Sequence, residues 1–409
     1  MGEFHLVDLT QMTYGGEAMG RLPDGRAVFV PFALAGERVL VKLTEEKRGF
    51  ARATLMDVVQ PSPARIRPRC PHFAQCGGCH YQHMDYSLQL TVKQSILTEQ
   101  LQRIGGIADP PVRLIIPSPQ AWNYRNTVQF HLTPDGQLGF RATDDRTVIP
   151  VQECHLPEEA LLEIWKQIQA EPLPDLERLS LRLGADGEIL LVLESLETNP
   201  PAISVEELPV SVAHMGPAGT LVLAGDDHVV MEVLGRPFRV SAGSFFQVNT
   251  PMAEAMVKHV LSLLPADQPG TVLDVYCGVG LFSAFLAPRA RNLIGIESAP
   301  SACDDFAVNL DEFDHVSLYM GTAEEILPSL QVHPEVIVVD PPRAGLELAA
   351  LDAILSMGAP TIIYISCDPA TLARDAKRLI RGGYRLEQTT PFDLFPQTYH
   401  IESISLFQR

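Results

Sequence analysis

In this 409-residue chain, groups able to do chemistry recur where a β-type run gives way to a turn. Thr361 to Ile365 is rich in β-branched and aromatic types and reads as a buried strand, which Ser366-Cys367-Asp368-Pro369 ends before a helical pattern begins. Cys367 therefore stands at the carboxyl end of a strand, the edge where open α/β sheets bind ligands. Alone, it reads as packing, because free cysteine is among the most buried residue types. Three upstream stretches change that reading. Thr271 to Val275 runs into Tyr276-Cys277-Gly278-Val279-Gly280, with a helix expected from Leu281, and its glycines let backbone amides approach a ligand. Glu297 closes the next strand, 17 residues beyond Gly280, where a carboxylate suits a ribose diol. Val336 to Val339 ends in Asp340-Pro341-Pro342-Arg343-Ala344-Gly345, whose prolines stiffen the strand exit. A glycine turn, two carboxylates and a thiol are thus expected along one rim.

A second set is metal-like. Of seven cysteines, three fall in Cys70-x5-Cys76-Gly77-Gly78-Cys79, and Cys154 lies far downstream. Cysteines in a large chain without a secretion signal point to metal or catalysis before disulfides. Four thiolates suit tetrahedral zinc or an iron–sulfur cluster, and spacing does not choose between them.

The elements that must hold these groups fall into three parts. Residues 1–60 show short β-type runs separated by Gly15-Gly16, Asp24-Gly25 and Gly36, which suits an OB-like β-barrel. The stretch GGEAMGR followed by DGRAVFVPFALAGERVLVKL resembles the TRAM domain, an RNA-binding module. Residues 61–245 read as a β-rich central domain carrying the cysteine set. It opens with a basic, proline-punctuated connector containing Arg65, Arg67 and Arg69, then a helix over 84–105. Strands are expected over Trp122–Leu132 and Gly136–Ile149, a hairpin over Leu179–Leu196, and a helix over Glu158–Ala170. Trp122, Tyr124 and Arg125 have the chemistry to grip an RNA base or backbone, although such aromatics are more often core. From about residue 250 helix and strand alternate, the pattern of a parallel doubly wound sheet, giving a third domain over 246–409.

Composition adds bounds. With 46% apolar and 20% charged residues the chain is an ordinary globular protein. No run approaches the ~18 apolar residues of a membrane span, and MGEFHLVDLTQ lacks a signal pattern, so a cytoplasmic address without a membrane partner is expected. The net charge of −19 is uneven: residues 1–150 hold 16 Lys+Arg against 14 Asp+Glu, and residues 151–409 hold 15 against 36. An RNA-contacting surface would have to be local.

DPPRAG, ISCDPATLARD, HIESISLF and SFFQVNT, taken with the TRAM-like and four-cysteine segments, resemble the RNA uridine C5-methyltransferase family. DVYCGVG with Glu297 is similar to class I S-adenosylmethionine-dependent methyltransferases. The resemblance implies methyl transfer from S-adenosylmethionine to C5 of a uridine, in 23S rRNA first and tRNA second, by a monomer. It implies a [4Fe-4S] cluster on Cys70, Cys76, Cys79 and Cys154. For the cofactor it implies Gln247, Tyr276, Gly278, Gly280, Leu281, Glu297 and Asp340. Thr322 stands where the family usually offers Asp or Asn to the adenine. Phe245 is implied to stack on the flipped base, Asp340 and Arg343 to support it, and Glu402 to act as base.

The chemistry makes those types necessary. C5 of uracil is a poor nucleophile until a thiolate adds to C6, so a cysteine must lie beside the base. The C5 proton must then leave, which calls for a general base. An amino-group methyltransferase of the DPPY kind would carry an aromatic where Arg343 stands, and a cytosine enzyme of RNA typically has a second cysteine near Asp340, which is absent. A non-catalytic RNA-binding protein fits poorly with an intact Cys367 and Glu402. An iron–sulfur oxidoreductase would need a flavin or nicotinamide fingerprint.

Overall fold

The computed structural model describes residues 3–168, 176–201 and 208–409. Strands β1 (Phe4–Met12), β2 (Glu17–Arg21), β3 (Ala27–Pro31), β4 (Arg38–Glu46) and β5 (Phe50–Gln60) close into a five-stranded barrel in the order β1-β2-β3-β5-β4. Alternate residues of β3 and β4 point inward, so Val28, Val30, Val39 and Val41 fill its interior. The basic connector is fastened to the barrel: Arg65 donates to both Glu37 oxygens, at 2.5 and 2.7 Å, and to Phe32 O at 3.0 Å. Arg65 is therefore committed to packing and is not a free phosphate contact.

Helix α1 (Tyr86–Arg103) follows, with Asp85 Oδ1 accepting from Leu88 N as its N-cap. A seven-stranded central sheet then forms from β6 (Thr127–Leu132), β7 (Leu138–Arg141), β8 (Val148–Pro150), β9 (Leu176–Leu183), β10 (Ile189–Ser195), β11 (Val210–Gly216) and β12 (Gly219–Ala224). Three expectations need correction. The strand expected from Trp122 starts only at Thr127, because Asn123 takes a left-handed φ of 51° and bends the chain. The run Gly136–Ile149 divides into β7 and β8 around a turn in which the Asp144 side chain accepts the amides of Arg146 and Thr147. The helix expected over Glu158–Ala170 is α2 (Glu159–Trp165), and its last two expected residues lie outside the described ones.

A hairpin of β13 (His228–Val233) and β14 (Arg236–Ser241) leads into α3 (Thr250–Ser262) and the C-terminal sheet. That sheet contains β15 (Thr271–Val275), β16 (Asn292–Glu297), β17 (Val316–Met320), β18 (Val336–Val339), β19 (Thr361–Ser366), β20 (Arg385–Phe392) and β21 (Glu402–Gln408). Its helices are α4 (Ser283–Leu286), α5 (Pro300–Asn309), α6 (Ala323–Ile326), α7 (Leu348–Met357) and α8 (Pro369–Arg381). The helix expected from Leu281 is only one α-helical turn, continued by a 3-10 turn over Ala287–Arg289. The strand order is β17-β16-β15-β18-β19-β21-β20. Five strands are parallel as expected, but β21 runs antiparallel between β19 and β20, so the sheet is mixed.

Continuous packing joins these parts. One apolar core runs from the barrel through Ile96, Leu97 and Leu101 of α1 to Leu372, Ala376 and Leu379 of α8. At the same junction Lys93 of α1 and Asp393, just after β20, form an ion pair at 2.6 Å with both side chains fully buried. Removing one member of such a pair leaves an unneutralised buried charge. Lys93→Met is therefore expected to lower unfolding stability by about 3–5 kcal/mol. Denaturant midpoints should show this loss, and adding Asp393→Leu should recover most of it.

Candidate active site

The turn after β19 is built by its own side chains. Asp368 Oδ1 accepts from Ala370 N and Thr371 N, both at 2.9 Å, and so caps α8, while Ser366 Oγ donates to Asp368 O at 2.9 Å. Cys367 sits between these anchors, partly exposed to the cleft. The loop after β18 is locked to α8. Arg374 donates to Ala344 O and Leu346 O, at 2.9 and 3.2 Å, and Asp375 Oδ2 accepts Leu346 N and the Tyr364 hydroxyl, at 2.9 and 2.8 Å. Gly345 has φ 75°, and a Cβ there would lie 2.5 Å from Arg374 and 2.6 Å from Asp375. The ATLARD portion of the thiol-bearing stretch thus holds the DPPRAG loop in place.

Glu402 reaches the same rim because its strand is reversed. Ser403 pairs with Ser366 and Glu402 with Phe392, placing the first residue of β21 beside the last of β19. Glu402 is buried in an interior strand, not exposed on an edge. Burial and the nearby Asp340 hold its carboxyl well above the ordinary range, and Arg343 opposes them. Asp340, still touched by solvent at the cleft floor, is pushed up to about 7 by desolvation, with Asp274 adding to the shift. Burial pushes the Cys367 thiol up to about 12, and Glu402, Asp340 and Asp368 add to the shift while Arg343 lowers it. The structure therefore brings Cys367, Asp340, Arg343 and Glu402 together. Arg343 Nη2 also reaches the His400 ring at 3.4 Å, and burial followed by that guanidinium drives the imidazole down to about 3, so it is neutral.

On the adjoining rim, the turn after β15 puts Tyr276 at φ 66°, Gly278 at 55° and Gly280 at 90°. A Cβ on Gly280 would lie 2.4 Å from Leu310, whereas one on Gly278 would face open space. Close packing therefore explains Gly280, and an open approach explains Gly278. Glu297 Oε2 accepts Gly278 N at 2.9 Å, and Oε1 accepts Ser298 N and Ala299 N at 2.7 and 2.8 Å, so the carboxylate fixes the turn. The Thr322 hydroxyl is buried without a hydrogen-bond partner among the described residues, and so is Asp274 Oδ1. Buried polar atoms left unpaired in a protein normally meet a ligand or water. These groups, with the Gly278 opening, fit a polar nucleoside cofactor such as S-adenosylmethionine. Leu281 is buried beneath the turn.

The segment Ser244–Thr250 is tied down from three sides. Arg182 donates to Ser241 O and Ser244 O at 2.8 Å, the Ser244 hydroxyl donates to Asp305 at 2.6 Å, and Asn126 Nδ2 donates to Gln247 O at 3.0 Å. Within it Gln247 is buried, whereas Phe245 is 69% exposed between buried Ser244 and Phe246. Such an exposed ring on a fixed segment is available for stacking.

Cys76, Cys79 and Cys154 lie near Arg125, and Cys70 lies near Cys76 and Cys154. Cys79 senses Cys154 and Cys76, Cys154 senses Cys76 and Cys70, and Arg125 lowers the pKa of Cys76, Cys79 and Cys154. Burial outweighs that guanidinium, raising Cys79 to about 12 and Cys154 to about 11. Gly78 N donates to Cys76 Sγ at 3.3 Å, and amides near residues 72, 73 and 156 face Cys70 and Cys154. Four thiols, one buried and three half-buried, facing amide donors and one guanidinium have the chemistry of an iron–sulfur ligand set. As they stand, no three His, Cys, Asp or Glu side chains among the described residues form a group that could hold a metal ion. Of the three residues suggested as RNA contacts, Tyr124 is core, its hydroxyl donating to Pro396 O at 3.0 Å. Arg125 faces the thiols, and Trp122 carries Arg69 over its ring at 5.4 Å.

Comparisons with known proteins decide the family. A family model described as tRNA (uracil-5-)-methyltransferase matches residues 225–409, and the TRAM domain model matches residues 2–56. An uncharacterised RNA methyltransferase of Aquifex aeolicus is 35% identical over 419 residues, covering 98% of each chain. The chain belongs to the RNA uracil-5 methyltransferase family. A further RNA methyltransferase relative, from Halalkalibacterium halodurans, is 33% identical over 441 residues, covering 98% of this methyltransferase and 96% of the relative. The crystal structure of Pyrococcus abyssi tRNA (uracil-54, C5)-methyltransferase in complex with S-adenosyl-L-homocysteine is 23% identical. It superposes with a TM-score of 0.77 over 98% of this methyltransferase and all of that chain, showing a shared fold.

The raised Asp340 carboxyl has a measurable consequence. Between about pH 4 and 7 the native state binds a proton at Asp340 that the unfolded chain has lost, so stability falls as pH rises through that window. Asp340→Asn is expected to gain melting temperature over the parent progressively from pH 4 to 7 and then hold a constant lead. A lead independent of pH would contradict the raised carboxyl.

Proposed function

We propose that this methyltransferase acts on a uridine of 23S rRNA through a covalent adduct between Cys367 and C6 of the base. The observation that carries the reading is the meeting of Cys367, Asp340, Arg343 and Glu402 at one sheet rim, beside the glycine turn. S-adenosylmethionine supplies an electrophilic sulfonium methyl when bound, held by Gln247, Tyr276, Gly278, Gly280, Leu281, Glu297, Thr322 and Asp340.

The chain's own groups do the rest. The uridine is flipped out of its RNA to reach the cleft, where Phe245 stacks on it. Arg343, the one named neighbour that lowers the Cys367 pKa, favours the thiolate. Its sulfur adds to C6, and the C5–C6 π electrons move into an enolate that makes C5 the nucleophile. Asp340 orients the uracil edge. After methyl transfer Glu402, in its ionised form, takes the C5 proton, and the returning electrons restore the double bond and expel the thiolate. Cys70, Cys76, Cys79 and Cys154 would hold a [4Fe-4S] cluster that organises the central domain and transfers no electrons in this reaction. The TRAM barrel contributes RNA contacts.

A second reading, transfer to a tRNA uridine, is favoured by the description of the matching family model. Mapping 5-methyluridine in 23S rRNA and tRNA of a deletion strain separates the two, since only the true substrate loses the modification.

Cys367→Ala is expected to abolish both methyl transfer and the adduct with 5-fluorouridine RNA, in which fluorine blocks the final proton loss. Retained transfer would refute the covalent route. Glu402→Gln should slow turnover by roughly 10²–10⁴-fold while the RNA–protein adduct accumulates on denaturing gels. For the cysteine set, anaerobically purified protein should contain iron and sulfide in equal amounts, and Cys79→Ser should lose both; stoichiometric zinc without iron would overturn the cluster.

A further inference from the structure

The turn between β1 and β2 is pressed into the catalytic domain. Thr13 N and Oγ1 donate to Glu17 O at 2.8 and 2.9 Å, and Gly15 and Gly16 take φ of 103° and 88°. A Cβ on Gly16 would lie 3.2 Å from His80 Cβ, so the turn lies flat against the segment that follows Cys79. This geometry aims Tyr14 away from the barrel. Its hydroxyl donates to Asp368 Oδ2 at 2.7 Å, across 354 residues of sequence. Its ring meets Tyr399 edge-on at 5.7 Å, and Tyr399 in turn packs on His400 at 4.4 Å, beside Arg343.

Asp368 therefore divides its two oxygens between tasks. Oδ1 caps α8, and Oδ2 accepts the barrel tyrosine. Cys367 is the residue immediately before it. We propose that Tyr14 is a positioning residue for Cys367, so that the barrel, through the Tyr14–Asp368 hydrogen bond, fixes the turn that aims the thiol. The inference rests on the reading of Cys367 as nucleophile. Burial and the Asp368 carboxylate keep the Tyr14 phenol protonated, as a donor must be. Without that donor, the Asp368 carboxylate is freer to turn toward the thiol and oppose its ionisation.

Tyr14→Phe keeps the ring and its contact with Tyr399 and removes only the hydroxyl. With full-length protein and saturating RNA, kcat and the rate of 5-fluorouridine adduct formation are expected to fall roughly tenfold, the scale of one hydrogen bond to a charged group. The dissociation constant for RNA should stay near its parental value. In an Asp368→Asn background, which lacks the carboxylate that opposes thiol ionisation, adding Tyr14→Phe should cause little further loss. A second readout does not need methyl transfer: alkylation of Cys367 by iodoacetamide, followed by mass spectrometry, should shift to higher pH in Tyr14→Phe. Unchanged kcat with an unchanged alkylation profile, a loss confined to RNA affinity, or multiplicative effects in the double variant would overturn the role of Tyr14. If the parent protein forms no adduct with 5-fluorouridine RNA, the proposed function fails instead, and the alkylation profile still decides the positioning role.

Discussion

A parallel strand offers its last residue to the cleft at the carboxyl rim of a sheet, and an antiparallel strand offers its first. The site depends on that difference. Asp340 and Cys367 follow the ends of parallel strands, whereas Glu402 begins β21, which runs the other way between β19 and β20. Had β21 been parallel, Glu402 would lie at the opposite end of the sheet. Reversal places a carboxyl beside a thiol separated from it by a helix and a further strand.

The price of gathering those groups is electrostatic. Desolvation is the largest cause of the shifts at Cys367, Asp340 and Glu402, Asp340 adds to the shift at Glu402, and both carboxyls add to that at Cys367. Arg343 opposes the shifts at Cys367 and Glu402, and its guanidinium also contacts the neutral His400 ring. Such a cluster holds its shape because the surrounding backbone is fixed by other residues. Arg374 and Asp375 fasten the loop of Asp340, and Asp368 fastens the turn of Cys367.

The same logic extends to the loop between β20 and β21. Gln397 takes a left-handed φ of 69° while almost fully buried. His80 N and Tyr81 N donate to its carbonyl at 2.9 and 3.0 Å, its side-chain Oε1 accepts from Gln89 Nε2 and its backbone N donates to Gln89 Oε1, each at 3.0 Å. Lys93 holds Asp393 and the Phe395 carbonyl, and Tyr124 holds that of Pro396. Residues next to the four-cysteine segment and on α1 thus over-determine the loop that delivers Glu402, which is how a strained backbone persists. The central domain and the C-terminal sheet act as one packed body at this seam.

Local patterns in the sequence sufficed for much of this. Buried β-branched runs ending in turn residues marked β15, β16, β18 and β19, and hence the rim carrying the glycine turn, Glu297, Asp340 and Cys367, because strand period and turn chemistry act over a few residues. The barrel was legible for the same reason. The direction of β21, the burial of Glu402 and the division of β7 from β8 depended on which strands pair, and pairing is long-range. Lys93, which lies on the buried face of α1, was not singled out from the sequence and is explained only by Asp393, 300 residues away. Tyr14 gave no local signal at all. Its hydroxyl acquires meaning only where the barrel meets the catalytic turn, because a hydrogen bond is defined by its partner's position, and tertiary packing alone sets that position.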